Sequence, residues 1–277
     1  MNTKKVKQIM LTVALGSLVI TGCRKNDTDE MSSADTITPQ NIEQNESAGS
    51  DAENITDQAA QLRTTTTGET PQTVIATCVT VTHDTVSNPH TIVIDFGTTN
   101  CLCKDGRYRR GIINVSYTGN YFDAGSQRTI TFSNYYVNDN LVEGTRVVTN
   151  SGLNAVGNMY WTVQATNMKI TKPDGTFHTW SSTRTREMVA GYGTQTVFDD
   201  VYSITGSFNG TDTNGNAFVA NITVPLQKQI GCHWIVSGTM EILKTGKPLK
   251  TLDFGNGACD NIATVTVNGQ TRTITLH

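Results

Sequence analysis

The sequence has few of the features that mark enzymes and membrane-spanning proteins. Only 16% of its 277 residues are charged, and its five histidines do not cluster at the spacing of metal ligands. It has no Gly-x-Ser-x-Gly elbow, no glycine-rich nucleotide loop and no His-Arg-Asp kinase loop. Its longest apolar run covers residues 9–20, whereas a transmembrane helix needs roughly 20 residues. We therefore predict no cofactor, no metal site and no membrane-spanning helix, and the sequence indicates no catalytic residue.

A positively charged and then apolar segment precedes Cys23. Three lysines among the first seven residues followed by a short apolar run are typical of a secretory signal peptide. The run ends in Ile20-Thr21-Gly22-Cys23, which resembles a bacterial lipobox, where small residues precede a cysteine that receives diacylglycerol. The resemblance implies cleavage of residues 1–22 and fatty acyl chains such as palmitate on Cys23. We expect a lipoprotein, because two or more acyl chains anchor a protein stably to a membrane.

The residues that follow Cys23 indicate which membrane carries the anchor. Arg24 stands where an aspartate would have resembled the signal for retention in the inner membrane. Acidic residues at positions 27, 29 and 30 resemble the surface-export signals of Bacteroidota lipoproteins. We therefore expect the protein to be lipid-anchored at the outer membrane or the cell surface.

Residues 23–71 have the composition of a linker. They are rich in Asp, Glu, Asn, Gln, Ser and Thr, and positions 24–71 hold ten acidic and three basic residues. Such a segment buries too little apolar surface to offset its ordering entropy, so we predict a disordered acidic tether. A short helix over residues 55–62 has no supporting periodicity. The remaining body has 15 basic and 14 acidic residues, and this near-neutral balance argues against a nucleic-acid partner.

Residues 72–277 have the pattern of one all-β domain. Runs rich in Thr, Val, Ile and Tyr alternate with Gly, Asn and Asp turns, and no stretch keeps an apolar period of 3.6 over three turns. The last two runs flank Asn268-Gly269, the strongest short signal for a β-hairpin. We predict an antiparallel, multi-stranded fold. The pattern does not choose between a long meander, a sandwich and a curled or half-barrel sheet.

One unit occurs twice in the body. Asp95-Phe96-Gly97 precedes Cys101, and Asp253-Phe254-Gly255 precedes Cys259, each with the cysteine six residues after the aspartate. We expect both phenylalanines to anchor the core and both aspartates to accept hydrogen bonds from turn amides. These units, with the closing hairpin, resemble secreted lipoproteins of the Bacteroidota. That resemblance implies a location and an architecture, and it implies no particular activity.

Five cysteines follow Cys23, and an exported chain meets an oxidising compartment in which disulfides are the default. Because Cys78 precedes the first unit and Cys232 the second, the repeat predicts the bridges Cys78–Cys101 and Cys232–Cys259. Cys103 is then left over, and Cys78–Cys103 is the competing pair.

The residues 177–187 form the most distinctive strand. Alternation places His178, Trp180, Arg184 and Arg186 on one face. An aromatic ring beside two guanidinium groups can stack a sugar or hold an anion, so we expect a solvent-exposed face that binds a glycan or another anionic polymer. An ordinary solvated sheet face is one alternative. The other is a buried face, whose arginines would have to pair with acids such as Glu143 or Asp200.

Three functions remain open at this point. The first is a lipid-anchored protein whose β-domain binds a ligand without catalysis. The second is a carrier or chaperone for lipophilic cargo on a curled sheet, and the third is a hydrolase of unrecognised type. For the third, the adjacent pair Asp199-Asp200 offers little, since neighbours on a strand point to opposite faces. A pocket lined by Trp and Arg, a deep apolar groove, or convergent carboxylates would distinguish these functions.

Overall fold

A computed structural model describes residues 33–62, 74–194 and 196–276. The predicted signal peptide, Cys23 and the residues up to position 32 lie outside the described part. Helix α1 covers Ser33–Gln61, and the rest is strand and turn. The strands are β1 (Thr80–Asp84), β2 (His90–Asp95), β3 (Cys101–Leu102), β4 (Tyr108–Tyr117), β5 (Gln127–Val137), β6 (Asn140–Leu153), β7 (Met159–Thr171), β8 (Phe177–Ala190), β9 (Val201–Thr211), β10 (Ala217–Gln229), β11 (Ile235–Lys244), β12 (Lys250–Asn256), β13 (Ile262–Val267) and β14 (Gln270–Thr275).

All strands belong to one antiparallel sheet, so the predicted all-β class is confirmed. Each strand pairs with the next along the chain, except that β2 pairs with β4 and the short β3 lies beside β4. The architecture is an open meander that curls around α1, because the helix contacts strands as far apart as β2 and β14. The predicted closing hairpin is confirmed: Val267 pairs with Gln270, and Asn268 and Gly269 have φ values of 50° and 77°.

Glycines at β-bulges bring this curvature about. The register shifts beside Gly111 in β4 and beside Gly144 in β6, where φ is +85° and +120°. A Cβ atom at either position would collide with backbone of the neighbouring strand. A bulge bends its strand and increases the local twist, so these glycines help the sheet to close around the helix.

The prediction of a disordered tether is wrong for the central part of that segment, because Ser33–Gln61 forms a helix. From Thr38 onward, nearly every side chain of α1 is buried or half-buried. The composition argument assumed that a segment must be apolar to be buried, but α1 is buried against charged side chains of the sheet. One sequence signal supports a helix: Ala48, Ala52, Ile55 and Ala59 recur at spacings of four, three and four residues.

The apolar core consists of two clusters on either side of the sheet's middle. One contains side chains of β1–β9 together with Ile55 and Ala59 of α1. The other contains side chains of β9–β14 together with Ile42 of α1. The helix therefore contributes apolar side chains to both clusters and connects the two halves of the sheet.

The repeated unit has the roles that the sequence predicts. Phe96 lies in the first cluster and Phe254 in the second, each 2% exposed. The carboxylates of the two aspartates accept hydrogen bonds from the amides of Gly97 and Gly255, at 2.7 and 2.8 Å. Both predicted disulfides, Cys78–Cys101 and Cys232–Cys259, are present, and Cys103 is a buried free thiol. Within the described residues, no helix is long and apolar enough to cross a membrane.

Candidate functional site

The predicted ligand-binding face of β8 lies inside the molecule. His178, Trp180, Arg184 and Arg186 are at most 3% exposed. They do share one face, as the alternation predicts, but this face is concave and α1 covers it. The prediction of a solvent-exposed binding face is therefore wrong, and the buried alternative is the one that the structure forms.

Acidic residues of α1 neutralise the two arginines. Arg184 Nε lies 2.9 Å from Glu46 Oε1, and Arg186 Nη1 lies 3.3 Å from Asp57 Oδ2 and 3.6 Å from Glu53 Oε2. The partners that the sequence suggested are different: Glu143 pairs with Lys169 on the outside, at 3.3 Å. The sequence does not suggest the partners in α1, because the composition of this segment predicts disorder.

The same arrangement extends along the interior of the sheet. Within the described chain, six buried arginines form ion pairs with four carboxylates of α1: Arg107 and Arg109 with Asp51, Arg128 and Arg186 with Asp57, Arg146 and Arg186 with Glu53, and Arg184 with Glu46. Arg110, the next residue after Arg109, points outward and lies over the ring of Tyr136. The basic cluster near β4 is thus divided between the two faces of the sheet.

The lowered pKa values of Glu53 and Asp51 favour the ionised form of these two carboxylates at neutral pH. Burial raises the pKa of Glu53, but Arg146 and Arg186 outweigh burial and lower the pKa below its usual value. The same balance, with Arg109 and Arg107 as the cations, lowers the pKa of Asp51. The carboxylates of the helix balance the charges of Arg184 and Arg186. The predicted site residues therefore do not form a free anion site in this conformation.

A cavity of about 360 Å³ lies where the C-terminal end of α1 meets β7, β8 and the segment before β9. Its walls combine apolar and aromatic side chains with several polar ones. The apolar and aromatic residues that define the wall are Phe122, Met159, Trp161, Met188, Val197 and Tyr202. Asp57 and Gln61 close the cavity from the helix side, and Asp200 contributes a carboxyl group from the strand side.

Arg186 connects the interior network to this cavity. Its guanidinium carbon lies 3.5 Å from the centroid of the Tyr202 ring and 5.7 Å from the Trp161 ring. The two rings are themselves 6.2 Å apart. The ion pairs of Arg186 with Glu53 and Asp57 therefore hold its guanidinium group against two of the rings that line the cavity.

Asp200 differs from Glu46, Asp51, Glu53 and Asp57 of α1, because no ion pair among the described residues involves it. It is 8% exposed, and its nearest described side-chain donor is the Tyr202 hydroxyl at 3.4 Å. Burial, with a smaller contribution from the charge of Asp199, raises the pKa of Asp200 to about 7, although Arg186 acts in the opposite sense. Gly191, with φ at +89°, lets the chain pass close to Asp200, since a Cβ there would collide with the carboxylate.

The second carboxylate at the cavity is not available to a ligand. Asp57 Oδ1 accepts a hydrogen bond from the Tyr121 hydroxyl at 3.1 Å and forms an ion pair with Arg128 at 2.8 Å, and its Oδ2 accepts a hydrogen bond from Arg186 at 3.3 Å. A pair of carboxylates that could act as acid and base on one substrate is therefore not formed here. The pair Asp199-Asp200 precedes β9, and its two members diverge: Asp199 is exposed and Asp200 is buried.

A smaller cavity of about 210 Å³ lies beside Arg107, Lys228 and His233. Lys228 Nζ donates hydrogen bonds to the carbonyls of Cys232 at 2.6 Å and of His233 at 2.7 Å. Since these carbonyls occupy the ammonium group, we assign this lysine to the support of the loop before β11. No group of His, Cys, Asp and Glu in the described residues has the arrangement of a metal site.

Sequence reasoning missed the larger cavity. Alternation alone puts Met159 and Trp161 on one face of β7, and Arg186 and Met188 on one face of β8. What the sequence does not show is that both faces are concave, because that depends on bulges and on a helix formed by the predicted linker. No protein-family model, curated protein or solved structure matches the chain.

Proposed function

We propose that this protein is a lipid-anchored binding protein of the outer membrane or the cell surface, and that its β-domain binds a small ligand in the cavity beside Trp161 and Asp200. The observation that carries the binding proposal is the cavity itself. Ligand sites are usually concave, about 300–1,000 Å³ in volume, and lined by apolar and aromatic groups with a few polar groups that fix orientation. The volume of about 360 Å³ and the wall described above fit this pattern.

Neither alternative function has an observation that favours it. A carrier of lipophilic cargo needs an apolar concave face, whereas the interior of this sheet presents six arginines and is filled by α1. A hydrolase that uses two carboxylates needs both of them free, and Asp57 is held by arginines. A ligand that is bound without being changed needs only the aromatic wall and the single carboxyl group of Asp200.

The lipid anchor is supported by the lipobox-like segment and is tested by labelling cells with an alkyne fatty acid. We expect the wild-type chain to be labelled and the Cys23→Ser variant to lose the label, because the thioether is formed on that sulfur. Cys103→Ser is the matched control and should keep the label, since this thiol is buried in the β-domain. A Cys23→Ser protein that is still labelled would contradict the anchor.

The binding site is tested by filling the cavity. The mature chain carrying Cys23→Ser, which has no lipid, is titrated with the neutral apolar probe N-phenyl-1-naphthylamine. Met188→Trp places a larger side chain in the cavity and should weaken binding at least tenfold. Val189→Trp is the matched control, because Val189 is the next residue on β8, points to the other face and is 41% exposed.

The two tryptophan variants separate the cavity from the rest of the surface. Weakened binding in Met188→Trp together with unchanged binding in Val189→Trp would support the proposed site. Equal affinity in both variants would mean that the probe binds elsewhere, and the proposal would then be wrong.

A further inference from the structure

The carboxyl group of Asp200 is buried at a cavity wall and has no ion-pair partner among the residues that the structure describes. Each of the four α1 carboxylates described above has an arginine partner, whereas no ion pair of the described residues involves Asp200. A buried carboxylate without a cation is costly, because the charge loses its hydration. The cost would fall if a ligand in the cavity supplied the missing positive charge.

The other charges around the cavity have the sign that such a ligand requires. Asp57 faces the cavity from α1, and Asp199 is the residue before Asp200 in the chain. Arg128 and Arg186 already neutralise Asp57. Asp199 and Asp200 form no ion pair among the described residues, so their charge favours the approach of a cation.

The aromatic wall can also hold a cation. The faces of Trp and Tyr rings attract ammonium and guanidinium groups within about 6 Å of the ring centroid. Arg186 already makes such a contact with Tyr202, with its guanidinium carbon 3.5 Å from the ring centroid. Trp161, Tyr202, Phe122 and the exposed Tyr192 place four rings at one cavity next to one carboxyl group.

We propose that this cavity binds a ligand that carries an ammonium group, with Asp200 as the counter-ion and with the rings of Trp161, Tyr192 and Tyr202 around the cation. The inference rests on the proposed function, because it assigns a chemical class to the ligand of the same cavity. It requires Asp200 to be ionised in the complex, so the proton on that carboxyl group competes with the ligand.

This competition makes binding dependent on pH. The groups that face Asp200 are Asp199 before it, Asp57 from α1, Arg186 from β8 and Tyr202 from β9. Burial, with Asp199 and Asp57, outweighs the opposite effects of Arg186 and Tyr202 and raises the pKa of Asp200 to about 7. The affinity for an ammonium ligand should therefore be constant above pH 7 and fall by up to about tenfold for each pH unit below it.

Choline and its neutral isostere 3,3-dimethylbutan-1-ol test the inference, because they have the same shape and differ in charge. Isothermal titration calorimetry at pH 8 on the mature chain with Cys23→Ser should show at least tenfold tighter binding of choline. Asp200→Asn should abolish this preference, and Met188→Trp should weaken both ligands. Glu143→Gln is the matched control: it removes a half-exposed carboxylate that does not line the cavity and should keep the preference for choline.

The outcomes distinguish this inference from the proposed function. If the alcohol binds as tightly as choline and Met188→Trp weakens both, the cavity is a ligand site but the inferred charge of its ligand is wrong. If neither compound binds and the apolar probe does not respond to Met188→Trp, both proposals are wrong. Should Asp200→Asn not fold, the wild-type pH profile decides, since affinity for choline that is the same at pH 5 and pH 8 would overturn the inference.

Discussion

Arg186 shows how one residue serves both the interior and the surface of this protein. Its guanidinium group pairs with Glu53 and Asp57 of α1 and stacks on Tyr202, whose ring lines the cavity. A lysine could make one of these contacts but lacks the planar group that can pair and stack together. Arg186 thus contributes both to the charge balance of the interior and to the position of a ring that lines the candidate site.

Removing the buried arginines of β8 should destabilise the protein strongly. Arg184→Ala leaves Glu46 without its partner, and Arg186→Ala leaves Glu53 and Asp57 with one cation fewer. Breaking a buried pair costs about 3–5 kcal/mol, so we expect each variant to lower the melting temperature by many degrees. Arg110→Ala is the control, because its pair with Asp139 is partly exposed and its loss should change the melting temperature little. Unchanged melting of the β8 variants, measured by circular dichroism, would contradict the buried network.

At the scale of the secondary-structure element, α1 is unusual because most of its residues are polar and it is still buried. Pro39, Gly49 and several Asn, Ser and Thr residues give it a low intrinsic helix propensity. Its stability must then come from docking, in which the ion pairs of its carboxylates act together with the apolar contacts of Ile42 and Ile55. Such a helix should depend on the ionisation of its acids.

Acid should weaken the docking of α1. The pKa of Glu53 is lower in the folded state than its usual value near 4.3, so its contribution is complete above that value and is lost as the pH falls below it. We expect the free energy of unfolding, measured with urea, to decrease below about pH 4. Glu53→Gln should be less stable than wild type at pH 7 and should show a smaller decrease in acid.

Glu143→Gln is the matched control for this pH dependence. Glu143 is a half-exposed carboxylate on the outer face of β6, where it pairs with Lys169. The variant should keep the wild-type decrease in acid, because it leaves the interior ion pairs intact. If Glu53→Gln and Glu143→Gln had the same pH dependence, the interior carboxylates would not determine the acid sensitivity.

The sequence predicted the strands better than it predicted what the sheet encloses. Alternation and turn residues are local signals, so the β8 face, the Asn268-Gly269 hairpin and the paired cysteines could be recognised. The identity of the concave face is not local, because it depends on bulges and on the distant partner of each arginine. The candidate cavity was missed for the same reason, since its walls come from α1, β7, β8 and β9.

At the scale of the whole molecule, α1 and the sheet pack together as one structure. The sheet is open, its first and last strands do not pair, and its interior carries six arginines. The acids of α1 balance these charges, and the apolar residues of α1 join the two core clusters. The segment that was predicted to be only a spacer is therefore part of the folded domain.

Deleting α1 should prevent the sheet from folding. A chain that begins at residue 74 retains the six arginines but loses Glu46, Asp51, Glu53 and Asp57. Leaving even a few of these buried cations unpaired costs several kcal/mol each, which exceeds the usual 5–15 kcal/mol of total stability. We expect no cooperative thermal transition in this chain, whereas a control chain that begins at residue 33 should melt like the mature protein.

A synthetic peptide of residues 33–62, added to the shortened chain, should restore the transition. A peptide with Glu46, Asp51, Glu53 and Asp57 replaced by their amides should not restore it, because it supplies the helix without these four charges. Cooperative melting of the shortened chain without any peptide would show that the interior arginines do not need the acids of α1.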